Sequence, residues 1–524
     1  MKISSNINYD LYPILSMSNT ASFLNQLTKE EPVIPKVYSK KVLSNGTRKK
    51  LLAYQECHVV KLISILLTRY IVLDSSDTGI GKTYIAAAIC KELKRRPIII
   101  CPKTLMFNWK SVLSFFKVKP YDIVNYETIK NGKTYKDDEC KYRIKSPFID
   151  VVEFDPEEPA KFLYNWNIPE DAILIFDEAH RCKEPNTNNG KLLASIKPLI
   201  ENKMPIMLLS ATICEKIADM KIPFFLFGMI PNTRAYNHHV LKLKDKYARH
   251  QVRKSNYLTA ADYRVARDNA QAMMIYEEIK EYASRIKIKE LGDMFPSNQI
   301  CCQQFMINDI GKVKEAYAQM AVLLEELRTC PKKNHLCEIQ KLKQEIELQK
   351  VPIFIEQAQL YLEEGKSVII FVNYTATLRL IVEALNIRCI VNGGQTISER
   401  LKCIDLFQSN QERIIICQMR AGGVGINLHD LHGDHPRVTL LNFSDSAANL
   451  LQALGRAPRA GAKSPVLQRI IFVANVDYEK DIMRNINRKL TNISVINDGD
   501  LEGNKYKVKR ITRKVVTRNS NIVL

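Results

Sequence analysis

Short unbroken apolar runs recur along the chain, and longer stretches with apolar residues three and four apart separate them. Runs of the first kind predict strands buried on both faces; stretches of the second predict helices. In the first half the strands are expected at Tyr70–Leu73, Pro97–Pro102, Val124–Thr128, Ala172–Phe176 and Pro205–Leu209. A second series is expected at Ser367–Asn373, Arg388–Val391, Arg413–Cys417, Val438–Leu441 and Arg469–Val473. Helices are predicted around Val59–Leu67, at Tyr84–Cys90, over most of 215–290 and 310–364, and at Thr375–Leu385 and Ser398–Phe407. Residues 130–170, with Pro147, Pro156, Pro159 and Pro169, read as an irregular charged excursion. Strands alternating with helices argue an α/β fold with two parallel sheets.

The stretch between the first strand and its helix changes this picture most. It reads Ser76-Asp77-Thr78-Gly79-Ile80-Gly81-Lys82-Thr83. Strand, glycine-rich turn, then a helix opening on Gly-Lys-Thr is the pattern of a phosphate-binding loop. Gly79 and Gly81 lack a Cβ, so the backbone can curl and turn its N–H groups inward. The helix N-terminus adds partial positive charge. Lys82 is placed to reach the β- and γ-phosphates of ATP, and the Thr83 hydroxyl to ligate Mg²⁺. Ser76 stands where the first glycine of such loops is usual.

Other segments carry chemistry only in combination with that loop. Asp177-Glu178-Ala179-His180 ends an apolar strand, so its carboxylates emerge at the C-terminal edge where parallel sheets bind ligands. Asp177 there can hold Mg²⁺, and Glu178 can orient the attacking water. Ser210-Ala211-Thr212 ends the next strand, and its hydroxyls are expected to bond the acidic pair. Upstream, the Gln55 amide can match the N6/N7 edge of adenine. The second series holds no phosphate loop, but does hold Ala421-Gly422-Gly423-Val424-Gly425-Ile426-Asn427 and Gln452-Ala453-Leu454-Gly455-Arg456-Ala457-Pro458-Arg459. Arg456 and Arg459, three apart, are expected on one helical face as guanidinium forks for phosphate.

Charge then points to the partner. Lys and Arg number 77 against 56 Asp and Glu, a net +21 that favours a polyanion. Basic residues gather before residue 50 (Lys36, Lys40, Lys41, Arg48, Lys49, Lys50) and again over Lys505–Arg518. Thirteen cysteines without a Cys-x-x-Cys pair in a 524-residue chain argue against a disulfide framework. Cys330, His335 and Cys337 lack a nearby fourth ligand for zinc. The first twenty residues show no secretory signal, and no run is long enough to span a membrane. A reducing compartment is expected: cytoplasm, nucleus or, for a viral protein, the virus factory or virion.

Taken in order, Gln55, the phosphate loop, the Asp177–His180 box, Ser-Ala-Thr, Ala-Gly-Gly-x-Gly-x-Asn and Gln-x-x-Gly-Arg-x-x-Arg resemble the motif series of superfamily 2 helicases and translocases with a DEAH box. The resemblance covers residues 50–480. Within the superfamily it runs to the Snf2-like translocases, through Cys101–Trp109, Asn125–Glu127, Asp177–Lys183, Arg285–Pro296 and Arg420–Leu428. Ser210-Ala211-Thr212 departs from the Thr-Gly-Thr-Pro of those proteins, and no Gly-Gln follows Arg459. The Lys-, Asn- and Ile-rich composition fits an AT-rich genome such as that of a large DNA virus. The resemblance implies an α/β fold of two RecA-like parallel-sheet lobes with ATP in the cleft between them, plus helical insertions. It divides the chain into a basic arm (1–50), an ATP-binding lobe (51–230), a helical connector (231–350), a second lobe (351–490) and a basic tail (491–524). Gln55 and Ser76, Asp77, Thr78, Gly79, Ile80, Gly81, Lys82 and Thr83 would bind ATP. Thr83 and Asp177 would hold Mg²⁺. Lys82, Asp177, Glu178, Arg456 and Arg459 would serve hydrolysis, and His180, Ser210, Thr212, Gly425 and Gln452 would couple the lobes. The implied function is an ATP-dependent motor moving along nucleic acid, DNA in preference to RNA, with transcription or replication machinery as candidate partners. An RNA helicase or transcription-release ATPase is the alternative, and a nucleic-acid-binding scaffold with a vestigial ATPase the second.

Overall fold

The computed structural model describes residues 43–137, 140–151, 164–251, 271–329, 333–422, 425–443, 446–498 and 508–509. Most of the expected basic arm and basic tail lies outside them. The first sheet comprises β1 (Ile71–Asp74), β2 (Arg96–Cys101), β3 (Asp122–Asn125), β4 (Ala172–Asp177), β5 (Ile206–Leu209) and β6 (Ala283–Ser284). Its spatial order is β6-β1-β5-β4-β2-β3, all parallel. The second sheet comprises β7 (Asn298–Phe305), β8 (Ser367–Val372), β9 (Cys389–Val391), β10 (Ile414–Gln418), β11 (Arg437–Asn442), β12 (Val466–Val473) and β13 (Val508–Lys509). Its order is β9-β10-β8-β11-β12-β7-β13, also parallel throughout.

Both sheets are covered on both faces, which is why their strands read as unbroken apolar runs. In the first, alternate residues Val72, Ile99, Ile173, Ile175, Met207 and Leu209 pack against α1 (Ala53–Arg69), α2 (Lys82–Leu93) and α3 (Met106–Phe116). Those helices offer Val59, Leu62 and Leu66, then Ile85 and Ile89, then Trp109, Leu113 and Phe116. In the second, Val368, Ile370, Ile416 and Leu440 face α4 (Val351–Glu363) and α5 (Thr375–Leu385). Ile369, Phe371, Ile415, Cys417 and Ile470 face the other way, onto α6 (Ile397–Gln408), α7 (Ala447–Leu454) and α8 (Asp477–Asp498).

The register of the first sheet fixes the functional edge. Leu209 pairs with Asp74 on one side and with Asp177 on the other. Three neighbouring strands therefore end level, and the loop after β1, the acids after β4 and Ser210 after β5 leave the sheet together.

Several expectations change. The strand expected at Val124–Thr128 stops at Asn125, and Tyr126–Ile129 turns into a short helix that seats the Tyr126 hydroxyl 2.8 Å from the Asp177 carbonyl. The excursion over 130–170 contains two antiparallel hairpins, Lys133–Tyr135 with Arg143–Lys145 and Ile149–Val151 with Tyr164–Trp166. The stretch expected as a helical connector, 231–350, holds β6 of the first sheet and β7 of the second beside its helices. Within the expected tail, Val508–Lys509 adds a strand beside Cys302–Gln303.

A buried ion pair crosses the second lobe. Lys350 and Glu479 are fully buried with Nζ and Oε1 2.8 Å apart. Burial holds the Lys350 ammonium below its usual range, and the Glu479 charge opposes that shift. Glu479 also accepts from Tyr317 Oη (3.1 Å) and Val473 N (2.5 Å). Lys350→Met leaves that carboxylate buried without its cation, which should destabilise the second lobe by about 3–5 kcal/mol. Adding Glu479→Gln should recover part of the loss. Urea unfolding followed on the two variants checks this, and equal midpoints for wild type and Lys350→Met would contradict it.

Candidate ATPase site

The loop after β1 is shaped by two left-handed glycines, Gly79 and Gly81, both at φ +92°. Gly81 caps α2, so the helix opens at Lys82 with its N–H groups facing the loop. Lys82 Nζ donates to the Ser76 and Asp77 carbonyls at 2.7 and 3.0 Å, bent over its own loop. Beneath, Asp74 is fully buried and takes hydrogen bonds from Ser76 N (3.0 Å) and His58 Nε2 (3.2 Å). Ser284 and Ser76 contact the same imidazole. None of this support from Asp74, His58 and Ser284 was anticipated from sequence.

Gln55 is held by its own chain. Its Oε1 accepts from Leu52 N (2.9 Å) and its Nε2 donates to the Ile80 carbonyl (2.8 Å). The amide braces the phosphate loop with one N–H and one lone pair, keeping a second of each for the adenine edge expected of it, and a Cβ on Gly81 would lie 2.6 Å from its Nε2. Here the glutamine holds the loop's curvature.

The acidic pair follows β4. Glu178 adopts φ +55°, a left-handed conformation costly for a side-chain-bearing residue, and so turns out of the strand. Asp177 is buried; its Oδ2 accepts from the Trp109 indole N–H (2.8 Å) and its Oδ1 from Glu178 N (2.9 Å). Burial raises the Asp177 carboxyl above its usual range, and the neighbouring Glu178 charge raises it further. Burial acts against Glu178 as well, but the hydrogen bond and charge of His180, with Lys82 and Arg456, hold Glu178 low. His180 Nδ1 lies 3.2 Å from Glu178 Oε2 and 3.1 Å from Ser210 Oγ. The Ser210 hydroxyl therefore meets His180 rather than the acids. Among the described residues the buried Thr212 hydroxyl finds no partner.

The second lobe closes on this edge. Gln452 Nε2 reaches Glu178 Oε2 at 3.3 Å and His180 Nε2 at 3.4 Å. A Cβ on Gly455 would sit 2.0 Å from Thr78 Oγ1, and one on Gly79 would sit 3.3 Å from the Pro458 carbonyl and 3.5 Å from Arg459 Cγ. Gly425, at φ +80°, packs onto Thr104 and Leu105 of the first lobe. Arg456 and Arg459 are not on a helical face as expected. The helix ends at Leu454, because Pro458 cannot continue it, and both arginines lie in the turn beyond. They converge on one acceptor: Arg456 Nη1 and Arg459 Nη2 lie 3.3 and 3.2 Å from the Ile426 carbonyl. Burial lowers both guanidiniums, Arg459 to about 9, with the Arg456 charge adding to the effect. Arg459 Nε has no partner among the described residues. Two desolvated cations beside a phosphate loop make a receptor for a highly charged anion.

The oxygen donors here, a carboxylate at Asp177 and a hydroxyl at Thr83, fit a hard cation such as Mg²⁺.

Two RecA-like parallel-sheet lobes meeting at such a seam define an ATP-hydrolysing enzyme of helicase superfamily 2. Residues 60–220 match the DEAD/DEAH box helicase family and residues 349–461 the helicase conserved C-terminal domain. A protein of Acanthamoeba polyphaga mimivirus, named as a putative ATP-dependent RNA helicase, is 60% identical over 502 residues, spanning 95% of this chain and 93% of its own. The chain belongs to the DEAD/DEAH box helicase family. It is also 21% identical to the Gallus gallus DNA repair and recombination protein RAD54B, over 79% of this chain and 50% of that one. Among solved structures it is similar to Saccharomyces cerevisiae Dbp5 bound to RNA and ADP BeF3 (14% identity, 90% and 94% of the two chains, TM-score 0.43). A similarity of the same kind holds for the Sulfolobus solfataricus SWI2/SNF2 ATPase core with double-stranded DNA (18% identity, 86% and 94%, TM-score 0.31).

Trp109→Phe removes the donor that favours ionised Asp177 and keeps most of the packing. The carboxyl should then hold its proton to higher pH and compete less well for the metal. The Mg²⁺ concentration for half-maximal ATPase should rise several-fold, about ten-fold at most, and more at pH 6 than at pH 8. An unchanged Mg²⁺ titration at both pH values would contradict this.

Proposed function

We propose that the chain is a nucleic-acid motor whose ATP is hydrolysed in the seam between its two lobes. The observation that carries the reading is the cross-seam cluster of Glu178, His180 and Gln452 beside buried Arg456 and half-buried Arg459. In it Lys82 leaves the Ser76 and Asp77 carbonyls for the β- and γ-phosphates. Thr83 and Asp177 would hold a magnesium ion, which when bound would offset phosphate charge. Glu178, kept ionised by His180, accepts a hydrogen bond from the attacking water and aims it. Arg456 and Arg459 take up the charge developing on the transferred phosphoryl group. Loss of the γ-phosphate leaves the two guanidiniums without their anion, so the closed seam is favoured before hydrolysis and weakened after it.

RNA is the first reading of the track. It rests on the name of the mimivirus relative, and on that ground the preference for DNA drawn from the motifs is not kept in first place. Duplex DNA is the second reading, favoured by the Snf2-like segments Cys101–Trp109, Asp177–Lys183 and Arg420–Leu428. Host cytoplasm, nucleus or virus factory, and contact with transcription machinery, accord with either.

Lys82→Ala should abolish turnover and weaken ATP binding. Glu178→Gln should abolish turnover and leave binding intact, because only the aiming of water is lost. Arg459→Ala should lower kcat steeply; fingers of this kind contribute about 10³–10⁵ in rate. Normal hydrolysis by Glu178→Gln or Arg459→Ala would contradict the assignment.

The track is decided by ATP hydrolysis measured with RNA, single-stranded DNA and duplex DNA, each over a salt series. RNA should stimulate most, with log affinity falling by about 0.7 per neutralised phosphate on a single strand. Stimulation confined to duplex DNA, together with displacement of a third strand, would establish the second reading.

A further inference from the structure

The loop after Ser210-Ala211-Thr212 does something the motif series does not assign. Glu215, in that first-lobe loop, is buried, and its carboxylate reaches across the seam. Its Oε1 accepts from Ser446 Oγ at 2.8 Å and from Ala448 N at 2.7 Å. Those groups open α7, the helix that carries Gln452 and leads into Arg456 and Arg459. Ser446 itself caps Asn449 N at 3.2 Å. The first turn of α7 is thus capped by two residues, one from each lobe, with Glu215 serving an N–H that Ser446 does not. A carboxylate at a helix N-terminus also meets the positive end of the dipole.

The glutamate is held ready for this. Asp219 Oδ2 accepts from Glu215 N (2.8 Å) and Lys216 N (3.0 Å), and pairs with Lys183 Nζ at 3.3 Å, three residues beyond His180. From the second lobe Lys489 Nζ lies 3.7 Å from Glu215 Oε2, and Asn492 Nδ2 donates to the Glu215 carbonyl at 3.3 Å. Burial disfavours the Glu215 charge, but the bonds from Ala448 and Ser446 outweigh it and keep the group ionised.

We propose that Glu215 is a positioning residue that completes the cap of α7 only when the lobes are shut, and so registers Gln452, Arg456 and Arg459 on the hydrolysis centre. Every bond from its carboxylate to Ser446, Ala448 and Lys489 crosses the seam, so separation of the lobes breaks all of them together. Closure and arginine placement are then one event. This inference rests on the ATPase reading above.

The test is the split between turnover and nucleotide affinity. ATP hydrolysis and binding of a fluorescent ATP analogue are measured on wild type, Glu215→Ala and Glu215→Gln, below their measured melting midpoints. Glu215→Ala should lower kcat about ten-fold. It should leave analogue affinity within about two-fold, because Lys82 and its loop are untouched. Glu215→Gln keeps an acceptor oxygen for Ser446 and Ala448 and should restore most of the rate. Wild-type kcat in Glu215→Ala, affinity falling in step with kcat, or a Glu215→Gln as slow as Glu215→Ala would each overturn the proposal. Absence of turnover in wild type would instead overturn the ATPase reading.

Discussion

Two guanidinium groups on one carbonyl oxygen, one buried and one half-buried, set the terms for the rest of this molecule. Arg456 and Arg459 both lean on Ile426 O, and the Arg456 charge raises the cost of the Arg459 charge. Such a pair is unfavourable unless an anion is close, and Glu178 supplies only part of that compensation. The missing charge has a natural place at the phosphate loop, whose Gly79 lies against Arg459. In the proposed reaction that desolvation serves the charge developing on the transferred phosphoryl group when both lobes share a phosphate. That is a physical reason for dividing the site between two sheets.

The sheets make the division workable. Parallel strands ending level at Asp74, Asp177 and Leu209 bring three loops to one edge without any long reach. Each loop then has a partner beneath it: His58 and Asp74 under the phosphate loop, Trp109 and Tyr126 at Asp177, and Ser210 at His180. These are rigid, buried supports. Lys82 and the two arginines, by contrast, rest on backbone carbonyls of their own lobes.

Strands and loop chemistry were legible because both follow local rules. A strand buried on both faces must be apolar throughout, and a loop that wraps phosphate needs glycine where φ is positive, as at Gly79 and Gly81. What escaped was set by tertiary contact. Strand β7 reads Asn-Gln-Ile-Cys-Cys-Gln-Gln-Phe, and its buried Gln303 accepts from Arg469, a partner that no local pattern announces. Strand β6 has two residues, too short for any periodicity. For Gln55 the sequence suggests an adenine reader but not the bonds to Leu52 and Ile80 by which its amide also braces the phosphate loop. Spacing suggested a helical face for Arg456 and Arg459, whereas Pro458, visible in the sequence, ends the helix first.

The path between the lobes bears on the same loop. Strand β6 lies beside β1, and the chain leaving it is laced to the phosphate loop: Ser75 N to Ser284 O (2.9 Å), Ile286 N to Ser76 Oγ (3.0 Å), Asp77 N to Ile286 O (3.0 Å). Arg285 then grips Asp77 Oδ1 at 2.7 Å while Ile288 N takes Oδ2 at 3.0 Å. Ten residues after Ile288 the chain is already in β7 of the second sheet. The chain linking the lobes therefore leaves from beside the phosphate loop, and Glu215 joins them again at the start of α7, whose other end leads to the arginines. A change at the loop is felt by the link directly, with no intervening packed core to absorb it. The second lobe is thus tied to the first at Asp77 through the link, at Glu178 through Gln452, and at Glu215 through the start of α7.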